Sequence, residues 1–151
     1  MIAAIKWAAL TVCVSLTFTG CSRWEPVYEV APDAVDDVRS IGEVVAHATN
    51  EWDLDRASQV NHVLLMDVGA ASYEDARKTV LDRLRQRGWR GSGPGLASEV
   101  LESPHWEHVL LSVDPLEKLQ DDGSDRLPAI VEALESRSEM LNRLAVVYMT
   151  P

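Results

Sequence analysis

Cysteine is nearly absent from this 151-residue chain, and both copies, Cys13 and Cys21, stand near its start. Beyond Cys21 no thiol remains to form a disulfide, ligate a metal or act as a nucleophile. Stability there must come from an ordinary hydrophobic core, for which about 130 residues suffice. Positive charge is also scarce: 14 basic residues face 24 acidic ones. Without Lys6 the balance is 13 against 24, a formal charge of −11. Such a chain is soluble, and its overall field disfavours nucleic acid. Lysine is the rarer cation, with three copies against 11 arginines, a bias that fits a GC-rich genome. No long apolar span is present either. The uncharged run from Trp7 to Gly20 has 14 residues. As a helix it would measure about 21 Å, short of the roughly 30 Å hydrocarbon core of a bilayer.

That run instead suits the apolar region of a signal peptide, with Lys6 before it as the only charge. Phe18-Thr19-Gly20-Cys21 ends it. This segment resembles the lipobox of bacterial lipoproteins: an apolar residue, two small residues and a cysteine. The resemblance implies diacylglyceryl transfer to the Cys21 sulfur, cleavage after Gly20 and an acylated, palmitate-type N-terminus. An uncleaved anchor or an ordinary secretory leader is the alternative. Residues 1–20 then form the signal peptide, 21–32 a membrane tether with Trp24, Pro26, Tyr28 and Pro32, and 33–151 a single domain.

Within that domain, residues 33–49 read as a helix. Asp33 is its candidate N-cap, and Ala34, Val38, Ile41, Val45 and Ala48 form its stripe. Residues 51–61 are polar and poorly patterned, apart from Trp52 and Leu54. His62 to Val68 is a short apolar run and reads as a buried strand. Ser72 and Asp75 then open a helix whose stripe is Tyr73, Ala76, Val80, Leu81 and Leu84, with Gly88 as its stop. Trp89-Arg90 and Glu99 to Glu102 are short strand candidates around the irregular Gly91–Gly95 loop. Trp106 to Val113 is a second strong strand. Pro128 suits the first turn of a helix bearing Leu127, Ile130, Val131, Leu134 and Leu141 inward, and Leu144 to Met149 closes the chain as a strand. From His62 onward the order is β-α-β-β-α-β, that of a ferredoxin-like α+β sandwich with an extra N-terminal helix. Both helices of the repeat would cover one face of a four-stranded sheet.

Few residues carry recognisable chemistry. In His105-Trp106-Glu107-His108 the two histidines would share a face on a helix and could take a metal, but they precede or enter a strand, where residues three apart point to opposite faces. Asp121, Asp122 and Asp125 lack the ligand spacing of a calcium loop and read as a solvated turn. Gly91-Ser92-Gly93-Pro94-Gly95 lacks the Lys-Ser/Thr ending of a phosphate loop. No Ser, His and Asp set stands out. No metal, cofactor or catalytic residue is assigned. Arg77, Lys78, Arg83, Arg85, Arg87 and Arg90 concentrate cations along one helix and its exit. They oppose the helix dipole, and Arg77, Lys78, Arg83, Arg87 and Arg90 form a candidate contact for an anionic lipid or envelope polymer. Arg83 and Arg87 fall off the apolar stripe, so charge reversal there is expected to spare the fold.

The lipobox, together with the helix exit Arg85-Gln86-Arg87-Gly88-Trp89, makes the chain similar to small lipoproteins of unassigned activity from high-GC Gram-positive bacteria. The function expected is that of a membrane-tethered extracytoplasmic binding or interaction module, whose partner is an envelope protein or anionic polymer. The alternative is an envelope enzyme with a pocket assembled from distant residues.

Overall fold

The computed structural model of the protein describes residues 26–92, 99–121 and 128–151. The leader, Cys21, the Gly93–Gly95 part of the loop, and Asp122, Ser124, Asp125 and Leu127 lie outside these residues. The fold is mixed α+β, with one seven-stranded sheet and helices on both of its faces. In chain order the elements are β1 (Val27–Glu29), α1 (Pro32–Arg39), β2 (Glu43–Leu54), β3 (Ala57–Asp67), α2 (Tyr73–Gln86), β4 (Arg90–Gly91) and β5 (Val100–Glu102). There follow β6 (Leu110–Asp114), α3 (Leu116–Asp121), α4 (Pro128–Ser136), a 3-10 helix (Ser138–Arg143) and β7 (Ala145–Thr150).

The expected strand at His62 is the inner half of β3. Val63, Leu64, Leu65 and Met66 are all fully buried, so both sides of this strand are covered. Each such side chain contributes about 1.5–3 kcal/mol on leaving water. Leu64 and Met66 face α1 and α2, together with Ala145, Val147 and Trp89. Val63 and Leu65 face the opposite cluster with Leu119, Ile130, Leu144 and Val146. The two helices of the repeat therefore lie on opposite faces, not on one. An uninterrupted apolar run has this consequence, because a half-covered sheet needs polar residues at alternate positions.

Strand order also departs from the ferredoxin-like expectation. Beyond β3 the sheet continues β7-β6-β5-β4, with every neighbouring pair antiparallel. The last strand thus lies between the first and third strands of the repeat, which a ferredoxin-like sheet would pair directly. The burial of β7 fits this place: Ala145, Val146, Val147 and Met149 are inaccessible.

The N-terminal region differs more. Its helix stops at Arg39, and residues read as its second half form the edge strand β2. Gly42 marks the break. A Cβ there would lie 2.8 Å from Val68 Cγ1 and 3.1 Å from the Asp67 carbonyl oxygen. Ala31, not Asp33, is the N-cap: the helix opens on Pro32, and Asp33 lies within its first turn. The polar segment 51–61 supplies the end of a long hairpin in which Glu43–Leu54 pairs with Ala57–Asp67. Part of the expected tether also joins the sheet: β1 runs parallel to β3 from Val27↔Ser58 to Glu29↔Val60. Val27, Tyr28 and Glu29 are then followed by the buried Val30. Along the edge of β3 facing β7, β1 takes the outer residues and β7 takes His62–Met66.

The α2 boundaries follow the sequence. The Ser72 hydroxyl accepts from the Asp75 amide at 3.2 Å. At the far end Gly88 adopts φ +94°, its amide donates to Arg85 O at 2.9 Å, and Trp89 N–H donates to Leu84 O at 3.1 Å. This pair of bonds is a Schellman closure, and it delivers Trp89 into the core. β4 and β5 form a short antiparallel pair around the loop. The second strong strand starts only at Leu110, because Ser103–His108 makes a turn that ends with His108 at φ +64°. Leu141 sits in the 3-10 helix beyond α4, still packed on the second cluster.

Candidate functional site

The outer ends of β1, β2 and β3 project past the helices as a three-stranded blade. Residues 51–56 are exposed, as is all of β1. The register sorts its side chains, since residues directly opposite in a ladder share a face. Trp52, Gln59 and Tyr28 form one row across the three strands, and Leu54 follows Trp52 on the same face. Tyr28, Trp52 and Leu54 are 55%, 54% and 46% exposed. The opposite face carries the row Glu51, Val60, Glu29 and the row Asp53, Ser58, Val27. One side of the blade thus sets two aromatic residues and Leu54 around Gln59, and the other carries the three carboxylates with the exposed Val27 among them. Isolated exposed hydrophobic residues are commonplace, whereas these three are grouped on one side of the same strands.

Where the acidic face meets the core, four polar side chains form a line. Arg39 of α1 donates to His47 Nδ1 at 2.6 Å, His47 Nε2 lies 2.9 Å from His62 Nδ1, and His62 Nε2 lies 3.8 Å from Glu29 Oε1. The guanidinium can only donate, so His47 Nδ1 accepts. His47 then carries its proton on Nε2 and donates to His62 Nδ1. His62 in turn holds its proton on Nε2, pointed towards Glu29. Both rings are neutral in this arrangement. Burial, then the Arg39 charge, then His62 lower the His47 pKa from its ordinary 6.5. Burial dominates at His62 as well, lowering its pKa against the opposing pull of Glu29. His62 is 8% exposed, and its Nε2 is buried without a hydrogen bond. None of these four residues stood out in the sequence. His47 fell in a supposed helix, and the row exists only once β2 pairs with β3.

The basic stretch is largely engaged within the protein. Arg83 donates to the Ile41 carbonyl, and Arg87 pairs with Asp37 at 2.6 Å. Glu99 takes both Arg85 and Arg77, the latter at 3.8 Å. Lys78 and Arg90 are the members of the stretch with neither an ion pair nor a side-chain hydrogen bond among the described residues. Of the two histidines of the His105–His108 segment, His108 borders a depression of about 360 Å³ with Glu102, Ser103, Trp106 and Val109, and His105 does not. The Ser103 hydroxyl there accepts from the His105 and Trp106 amides at 3.1 and 3.3 Å. That is turn closure, and among the described residues no hydrogen bond joins Ser103 to His108. His105 packs edge-on against Trp106.

Comparison with known protein families, with curated proteins and with solved structures gives no match. Among the described residues no helix is long and apolar enough to cross a membrane, and no group of three or more His, Cys, Asp or Glu side chains is placed to hold a metal.

Proposed function

We propose that this protein is a lipid-anchored module of the extracytoplasmic membrane face, attached through Cys21, that works by surface contact. One observation carries the contact reading: the bare β1–β3 blade, with Tyr28, Trp52 and Leu54 exposed together. The depression of about 670 Å³ that Tyr28 and Leu54 line with Pro26, Asp53 and Arg56 is open and shallow, and aromatic side chains supply large contact area at low entropic cost. The anchor reading rests on the Phe18–Cys21 lipobox and on Cys21 being the sole cysteine after the leader. Metabolic labelling with a fatty-acid analogue tests it. The wild-type chain should be labelled and sediment with membranes, while Cys21→Ser should be unlabelled and released. Equal labelling of both would overturn it.

A further inference from the structure

Which side of the blade meets which surroundings follows from where the chain enters it. We infer that the apolar side, formed by Tyr28, Trp52 and Leu54, lies in the headgroup region of the bilayer that anchors Cys21, with the acidic side turned to water. The inference rests on the lipid-anchor reading above.

Six residue steps separate Cys21 from Val27, a contour of at most roughly 22 Å. An acylated Cys21 is held at the interface. Pro26 accepts from the Ser58 amide at 3.0 Å, so the chain enters the fold at the end where the blade projects. No other part of the domain is held as close to the lipid by so short a tether. Trp and Tyr, with an apolar body and a polar tip, favour the membrane–water interface. Glu29, Glu51 and Asp53 all lie on the other side of the same three strands. An anionic bilayer repels that side and leaves the apolar side as the one that can approach. Arg56 in the hairpin turn adds one exposed cation beside Leu54, flanked by Asp55, so the contact is mainly apolar and added salt will not release it.

The test uses the full mature chain in phosphatidylethanolamine–phosphatidylglycerol vesicles. Mass spectrometry first establishes whether Cys21 is acylated. Because Cys21 is then blocked, Leu54→Cys or Asp53→Cys supplies the one free thiol for an environment-sensitive dye. The dye at position 54 should shift to the blue and be quenched several-fold more by shallow brominated lipid than the dye at 53, at low and high salt alike. Equal quenching at the two positions, or stronger quenching at 53, would overturn the inference. So would a blue shift at 54 that grows with protein density and ignores brominated lipid, since a second copy would then cover the face. An unacylated Cys21 would defeat the anchor reading itself and the inference with it. An acylated chain with a water-exposed dye at 54 would defeat only the docking.

Discussion

His47 and His62 stack with their ring centroids 5.1 Å apart and their planes 13° from parallel, and a single hydrogen bond joins them. The bond requires an unprotonated nitrogen on His62 facing a protonated one on His47. A proton added to His62 Nδ1 destroys it, and one added to His47 Nδ1 destroys the bond from Arg39.

Acid should therefore loosen the fold. Both histidines have pKa values below the ordinary 6.5 when folded, so the unfolded chain binds more protons as pH falls. Their stabilising contribution is complete above about pH 6.5, the unfolded value, and is lost as pH drops towards the folded values. Arg39 deepens the loss, whereas Glu29 opposes it at His62. Thermal melts between neutral and mildly acidic pH should show a falling Tm. His62→Gln should flatten that dependence, and an unchanged slope would show that the pair does not titrate on unfolding.

Asp37 ties the two helices of one face together. Its carboxylate accepts from Trp89 Nε1 at 3.0 Å and from Arg87 at 2.6 Å. Asp37→Ala leaves the buried indole N–H without a partner and should cost about 1–3 kcal/mol. Asp37→Asn keeps an acceptor for Trp89 and should recover some of that loss. Urea denaturation of the three chains measures both effects.

Gly42→Ala should destabilise by about 1–3 kcal/mol, because the new methyl enters the space of Val68 Cγ1 and the Asp67 carbonyl. Val68→Ala added to it should restore some of the loss, giving a favourable coupling in a double-mutant cycle. Simple additivity would place the cost elsewhere.

Charge reversal separates the cations of α2. Arg83→Glu removes the donor to the Ile41 carbonyl, a link from α2 to the chain ahead of β2. It should lower stability by about 1 kcal/mol or more. Lys78→Glu should stay within about 0.5 kcal/mol. Thermal melts of the two variants beside the wild-type chain distinguish them. The expectation that Arg83 is free to change came from its place off the apolar stripe. A stripe reports which residues pack, not which reach across to a distant carbonyl.

The pattern of what was readable has a physical basis. Ser72, Asp75 and Gly88 fix α2 by short-range hydrogen bonding and backbone freedom, so its limits could be read directly. The run Val63–Met66 carried more than a strand. Its lack of alternation already demanded two covered faces. Residues 44–48 misled because the bulge between Val44 and Ala46 lets Val45 pack on the same cluster as Ala48, a spacing of three that fits a helix and that a regular strand would send to opposite faces. The blade and the His47–His62 row arise from pairing between residues far apart in sequence. Neither β1, only three residues long, nor the position of β7 between β3 and β6 has a local signal.

The parallel pairing of β1 with β3 also sets how the protein bears load. A pull on the chain at Pro26, directed outward from the blade, runs along the strands. The β1–β3 hydrogen bonds, together with the bond from the Ser58 amide to Pro26, are then strained side by side in shear and must break together. Drag on the domain passes through them into β3, the strand most deeply embedded in the core. Behind β1, buried Val30, Val35 and Val38 must also slip before it can leave. A three-residue strand thus acts as a mechanical clamp between whatever holds the N-terminal segment and the body of the fold.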